Sequence, residues 1–206
     1  NVGTGAPALP EGHRLLVAGQ VEDDASVSLG AGEICTNRAL LLAARTAHPS
    51  AVIVYKPHPD VEAGLRRGKV ADADAIADVV AQSADPLSLI EACDEVWTMT
   101  SLIGFEALLR GTPVTCTGAP FYAGWGLTRD LGNTPARRAA RPSLNALAHA
   151  VLIDYPRYFD PKTGAAIAPE EALEFLAKAP QGRSRLVQAM LAKLRQLRAA
   201  TLGFNR

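Results

Sequence analysis

Residues 51–55 read AVIVY, a run of apolar side chains with no polar residue between them. A strand with one solvated face alternates apolar and polar residues. A continuous run needs cover on both faces, which is the position of a central strand in a parallel sheet. Parallel neighbours cannot be joined by a tight hairpin, so each connection carries a crossover, usually a helix. This one run therefore predicts strand and helix in alternation around it, and the sequence supplies both. HRLLVAGQ (13–20), EVWTM (95–99) and PVTCTG (113–118) read as further strands. Helical spacing of apolar residues runs from Glu33 to Thr46, through PLSLIEAC (86–93) and through TSLIGFEALLRG (100–111), where Gly111 is a stop signal. DVEAGLRRG reads as a short helix closed by Gly68, VEDDAS as an acidic loop, and residues 69–83 carry no decisive period. Residues 143–156, 169–177 and 184–200 follow as helices. The expected fold is α/β, a Rossmann-like parallel sheet flanked by helices, with extra C-terminal helices. Residues 1–12 read as a linker or truncated lead, 13–180 as the sheet domain and 181–206 as a C-terminal helix.

Composition narrows the function. Lys+Arg and Asp+Glu each total 21 in 206 residues, so the formal net charge is zero. A protein that binds nucleic acid needs a basic footprint, and this balance argues against such a partner. The segment RSRLVQAMLAKLRQLRAATLGFNR is locally basic. It reads either as a surface for anionic lipid or phosphate or as the wet face of a helix. Cys35, Cys93 and Cys116 lie far apart in apolar surroundings, none in a CxxC spacing. Reduced, buried thiols of a cytosolic chain are expected from that pattern. No run approaches the ~18 apolar residues of a membrane span, and NVGTGAPALPEG lacks the apolar stretch of a secretory signal.

In a parallel α/β sheet, ligands bind beyond the C-terminal ends of the strands. Four unusual stretches fall there: GQVEDDAS, KPHPD, TMTS and TGAPFYAGWG. In KPHPD, Pro57 and Pro59 fix their own φ and hold Lys56 and His58 extended. A stiffly presented imidazole suits a hydrogen bond to a phosphoryl oxygen or a leaving group, with Lys56 neutralising the same anion. The alternatives are a turn histidine bonded to a backbone carbonyl, and a lysine paired with a nearby acid. Thr98, Thr100 and Ser101 stand where a strand passes into a helix. A capping hydroxyl leaves free N–H groups and the positive dipole end, which suit a phosphate. Gly104 leaves room for a ligand or a neighbouring backbone. Glu106 sits among Phe105, Ala107, Leu108 and Leu109, where a carboxylate needs a partner. That partner is a ribose diol, or else a basic side chain or water. Glu22, Asp23 and Asp24 offer a nucleophile, a base or metal ligands, or only an acidic surface. His13, His48 and His149 are scattered, which argues against zinc. Phe121, Tyr122 and Trp125, set among glycines, read equally as a ring platform for a sugar or base and as a loop pinned to the core.

Taken together, GQVEDDAS, YKPHPD, TSLIGFEALLRGTPV, GAPFYAGWGLT and DYPRYFDP, in this order over residues 14–178, resemble the KpsC/LipA-type capsule polysaccharide biosynthesis family of retaining β-Kdo glycosyltransferases. The resemblance implies a GT-B architecture with the active site between two Rossmann-like halves. It implies CMP-Kdo as the nucleotide-sugar donor, no required cofactor or metal, and the lipid-linked poly-Kdo linker of capsular polysaccharide as acceptor. The implied location is cytoplasmic, with peripheral association at the inner face of the inner membrane. By the same resemblance His58 meets the CMP phosphate with Lys56 beside it, Thr100 and Ser101 close on that phosphate, Glu106 holds the ribose, and Gln20 belongs to the donor site. Asp24, with Asp23 next to it, resembles the acid that acts as nucleophile in a double displacement. A GT-B enzyme needs a second half, so a nucleotide-binding half is expected here. Its N-terminal partner half would lie in the same polypeptide, and this half alone would be inactive. The alternatives are a GT-B domain for a UDP-sugar or other nucleotide sugar, and a non-catalytic capsule-assembly docking domain.

Overall fold

The computed structural model describes residues 5–178 of the chain. They divide into two compact units, before and after the 148–149 boundary. In the first, β1 (Arg14–Ala18), β2 (Val52–Lys56), β3 (Val79–Val80), β4 (Glu95–Thr98), β5 (Val114–Cys116) and β6 (Arg129–Asp130) form one sheet in the order β3-β2-β1-β4-β5-β6. Every neighbouring pair is parallel. The fold is therefore the α/β, Rossmann-like parallel sheet that the apolar run at 51–55 predicts. β2 is buried along its whole length and pairs with β1 on one side and β3 on the other. The strand order reverses between β1 and β4. Loops leaving two such strands diverge to opposite faces and open a crevice between them.

The helices in this stretch are α1 (Ala25–Gly30), α2 (Asn37–Ala47), α3 (Pro59–Glu62), α4 (Ala73–Ile76), α5 (Pro86–Ala92), α6 (Leu102–Leu109) and α7 (Leu144–His149), of which α2, α4, α5 and α6 pack on the strands. α2 sets Leu40, Leu41 and Ala44 against Leu15, Val17, Ile53, Tyr55 and Trp97. It begins at Asn37 instead of Glu33, because Thr36 is extended and its hydroxyl accepts from Ala39 N at 3.2 Å. VEDDAS is a loop only as far as Asp24, which caps α1. In DVEAGLRRG only the first turn is helical, and Gly64, at φ +69°, turns the chain out of it. The undecided stretch at 69–83 yields α4 and the two-residue β3, and β6 is a second short strand that periodicity cannot show. Cys35 is exposed, contrary to expectation, while Cys93 and Cys116 are buried.

In the second unit the expected helix over 143–156 stops being α-helical: after α7 the chain widens into a π-helical turn at Ala150–Asp154. An unexpected antiparallel hairpin, β7 (Tyr158–Phe159) and β8 (Ala166–Ile167), follows. Asp160 turns its loop by accepting from Lys162 N at 2.7 Å and Thr163 N at 3.1 Å. α8 (Pro169–Lys178) is the expected helix at 169–177. The helix expected at 184–200 lies outside the described residues. No described helix is long and apolar enough to cross a membrane.

Candidate functional site

The residues singled out in the sequence lie at the C-terminal ends of β1, β2 and β4. Lys56 ends β2 and is only 3% exposed. Its Nζ donates to Pro57 O at 2.9 Å and to Glu62 Oε1 at 2.5 Å. The lysine charge is thus met from within α3, which leaves one N–H of the three for another acceptor. His58 is extended and caps α3, its Nδ1 accepting from Asp60 N at 3.1 Å. A ring nitrogen that accepts carries no proton, so the neutral ring holds its hydrogen on Nε2. Burial depresses the His58 pKa, with Lys56 and Arg66 adding to the effect against Asp60 and Asp24. The ring is neutral at pH 7 and offers one N–H donor.

At the end of β4 a compact network forms. Gln20, 6% exposed, accepts at Oε1 from Thr100 N (2.9 Å) and Thr98 Oγ1 (3.3 Å), and its Nε2 donates to Thr100 Oγ1 (2.9 Å). Its amide clips the end of β1 to the end of β4. Thr98 Oγ1 also accepts from Ser101 N at 3.0 Å, and Ser101 Oγ caps α6 by accepting from Ile103 N at 3.2 Å. The first N–H of α6, on Leu102, has no partner among the described residues. One turn in, a Cβ on Gly104 would lie 2.8 Å from Tyr122 Cζ, and closer still to its hydroxyl. The glycine therefore admits a side chain of the aromatic loop, neither ligand nor backbone. The Tyr122 hydroxyl donates to Ser101 O. Phe105, Phe121 and Tyr122 pack together, Trp125 Nε1 donates to Phe121 O at 2.7 Å, and Arg138 lies 5.7 Å from the Trp125 ring. The loop is pinned by its aromatics, and none of them lines the cleft described next.

A cleft of about 460 Å³ opens between these ends, lined in part by Gly19, Lys56, His58, Asp85, Ser101, Leu102 and Glu106. The structure thus brings Lys56, His58, Ser101 and Glu106 together and sets Gln20 and Thr100 behind them as support. The Glu106 carboxylate has no hydrogen-bond or ion-pair partner among the described residues; Arg110 bonds instead to its backbone carbonyl. Burial raises the Glu106 pKa, Arg110 opposes that, and Asp85 adds to it. Glu106 lies four residues beyond Leu102, about 6 Å along the helix axis. The cleft therefore carries N–H donors at one end and an uncommitted carboxylate one turn away. That spacing suits a phosphate joined to a hydroxyl-bearing ring.

Asp24 caps α1 after β1 and does not line this cleft, but its charge acts on His58. Its Oδ1 accepts from Ser26 N at 2.9 Å and Ser26 Oγ at 2.7 Å, leaving Oδ2 without a partner among the described residues. These Ser26 bonds hold the Asp24 pKa below the usual carboxylate value, with Arg66 and His58 contributing. Asp23 is paired with Arg66 at 3.0 Å. Glu22 Oε1 accepts from Asn37 N at 2.8 Å. Among the described residues no group of three His, Cys, Asp or Glu side chains is arranged to hold a metal ion. The sequence reading missed Asp85, Glu62 and Asn37. Asp85 was legible, since Asp-Pro at a helix start is a capping pattern, and its Oδ2 accepts from Ser88 N at 2.9 Å. Glu62 and Asn37 carry no comparable local signal.

Fold and cleft together define an α/β domain with a crevice at the switch point of a parallel sheet, where ligands of such sheets bind. Residues 8–158 match the family model described as capsule polysaccharide biosynthesis protein. The chain belongs to that family. It is 51% identical over 166 residues to the capsule polysaccharide modification protein LipA of Neisseria meningitidis, covering 80% of this chain and 23% of the relative. It is 42% identical over 191 residues to the lipopolysaccharide-processing protein LpsZ of Rhizobium meliloti, covering 90% of this chain and 43% of that one. Two solved structures of Thermosulfurimonas dismutans KpsC are similar. The β-Kdo 2,7 transferase matches with a TM-score of 0.72 and 42% identity over 83% of this chain and 54% of that one. The β-Kdo 2,4 transferase matches with 0.73 and 36% over 84% and 56%. The chain thus spans about half the length of these structures and less of the curated relatives.

Proposed function

We propose that this chain is the donor-binding half of a GT-B glycosyltransferase that moves β-Kdo from CMP-Kdo to the lipid-linked poly-Kdo linker of capsular polysaccharide, with retention. One observation carries the reading: a single cleft holds the His58 imidazole and the start of α6 at one end and the uncommitted Glu106 carboxylate one helical turn away. The CMP phosphate lies against His58 Nε2–H and the Leu102 N–H, with the remaining Lys56 proton within the same wall. Glu106 accepts from the ribose diol. CMP leaves readily once its charge is met by fixed donors, without need of a metal. Asp24, ionised and with Oδ2 uncommitted, is the carboxylate of the first displacement. It attacks the anomeric carbon as the bond to CMP breaks; an acceptor hydroxyl then displaces it, freeing the carboxylate, and the hydroxyl proton passes to solvent. The second half of the same polypeptide brings the acceptor, at the inner face of the cytoplasmic membrane. The names of the solved neighbours support Kdo as the transferred sugar.

Calorimetric titration with CMP, UMP and UDP tests the donor assignment. Preferential binding of CMP is expected. A clear preference for UDP overturns it in favour of a UDP-sugar domain, and binding of none of the three favours a docking role.

A further inference from the structure

Asn37 opens α2 and is fully buried, at 0% exposure. Its amide is committed at both ends to the backbone of other segments. Oδ1 accepts from Gln20 N at 2.8 Å, and Nδ2 donates to Gln20 O at 2.7 Å and to Gly68 O at 2.8 Å. Its own N–H donates to Glu22 Oε1. Beside it, Glu22 N donates to Arg67 O at 3.1 Å. This one side chain joins two segments: the loop after β1, which carries Asp23 and Asp24, and the loop after α3, whose Arg66 holds Asp23. The side-chain amide of Gln20 then links the first of them to the turn from β4 into α6. A Cβ on Gly68 would lie 2.7 Å from Asn37 Nδ2, so this close approach also demands the glycine.

We propose that Asn37 is a positioning residue that holds the Asp23–Asp24 loop in register with the cleft between His58 and α6. The proposal rests on the reading that Asp24 and that cleft serve one reaction. The chemistry required is narrow: one acceptor and two donors at a single buried point, which among short side chains only the amide of asparagine supplies. An ionised carboxylate of the same shape still accepts from Gln20 N, but it turns an acceptor toward the carbonyls of Gln20 and Gly68. A protonated one donates to only one of them.

Asn37→Asp in the full chain, compared with Leu41→Ala, tests this. Leu41 lies on the same helix in the core, so its truncation loosens packing without touching the tether. The first measurement is backbone amide protection by hydrogen exchange, which needs no ligand. Asn37→Asp is expected to lower protection at Glu22 and Asp24 at least about tenfold beyond any change at Leu16 and Ile53, and more strongly as pH rises and the introduced carboxyl ionises. Leu41→Ala is expected to shift all four amides together. The second is CMP affinity, expected to fall about fivefold in Asn37→Asp and stay within about twofold in Leu41→Ala. Unchanged protection at Glu22 and Asp24, a loss shared equally with Leu41→Ala, or a loss independent of pH overturns the proposal. Failure of the unsubstituted chain to bind CMP refutes the donor reading, and the exchange result then decides the tether by itself.

Discussion

Replacing His58 by asparagine separates the two jobs of the imidazole. Nδ1 caps α3 by accepting from Asp60 N, and Nε2–H is the donor assigned to the phosphate. Asparagine is a strong N-cap and keeps the first job, but its side chain ends short of the second. His58→Asn is therefore expected to fold with wild-type stability. Its CMP affinity is expected to fall by the worth of one hydrogen bond to a charged group, about 1.5–3 kcal/mol, or roughly 10- to 150-fold. His58→Ala loses both jobs and adds about 1 kcal/mol of destabilisation. Urea unfolding and calorimetry read the two effects separately. Acidity gives a third check. The folded-state pKa lies below the ordinary 6.5, so the unfolded chain takes up the proton first. The contribution of His58 to stability is complete above that value and is lost as pH falls through it, and His58→Asn should flatten this slope. CMP binding within about twofold of wild type in His58→Asn, with the fold intact, would refute the phosphate assignment.

Glu106→Gln should raise the thermal midpoint at pH 7 while weakening CMP. Burial raises the Glu106 pKa above the ordinary 4.5, so the charged form costs stability as pH rises through that range. A midpoint that rises with no loss of CMP affinity would remove Glu106 from the site. Gly104→Ala should destabilise by about 1–3 kcal/mol despite the better helix propensity of alanine, because the added methyl displaces the buried Tyr122. Adding Tyr122→Phe to it should recover part of the loss, and denaturant titration of both variants is the measurement. Asp24→Asn keeps the cap on α1, so in a polypeptide carrying both halves transfer should be lost while CMP affinity stays within about twofold. Full transfer in that variant rules Asp24 out as the nucleophile.

The strand ends that make the site were legible because their signals are local. An unbroken apolar run, two prolines around a histidine, a hydroxyl before an apolar helix and three acids after a strand each act through neighbours a few residues away. The same locality explains the misses at α1, β3 and β6, which are too short to show a period. What each polar group does once it arrives was not legible. For Lys56 the sequence leaves open a phosphate or a nearby acid, and the structure supplies an acid, Glu62. For Gln20 the sequence does not show that its amide ties β1 to Thr100, 80 residues away.

From the sequence by itself come the parallel α/β class, the edge of the sheet where the candidate residues gather, and the residue types found there. Burial on both faces and backbone stiffness are properties of short segments, so composition and spacing decide them. The tertiary structure alone decided that Tyr122 fills the space above Gly104 and that Asn37 joins two loops at one point. It alone set Glu106 on the cleft wall with no hydrogen-bond or ion-pair partner for its carboxylate among the described residues. Those outcomes depend on the order β2-β1-β4-β5, which sets segments far apart in the chain within hydrogen-bonding distance. A hydrogen bond acts over about 3 Å, and which groups come that close is fixed only when the sheet is assembled.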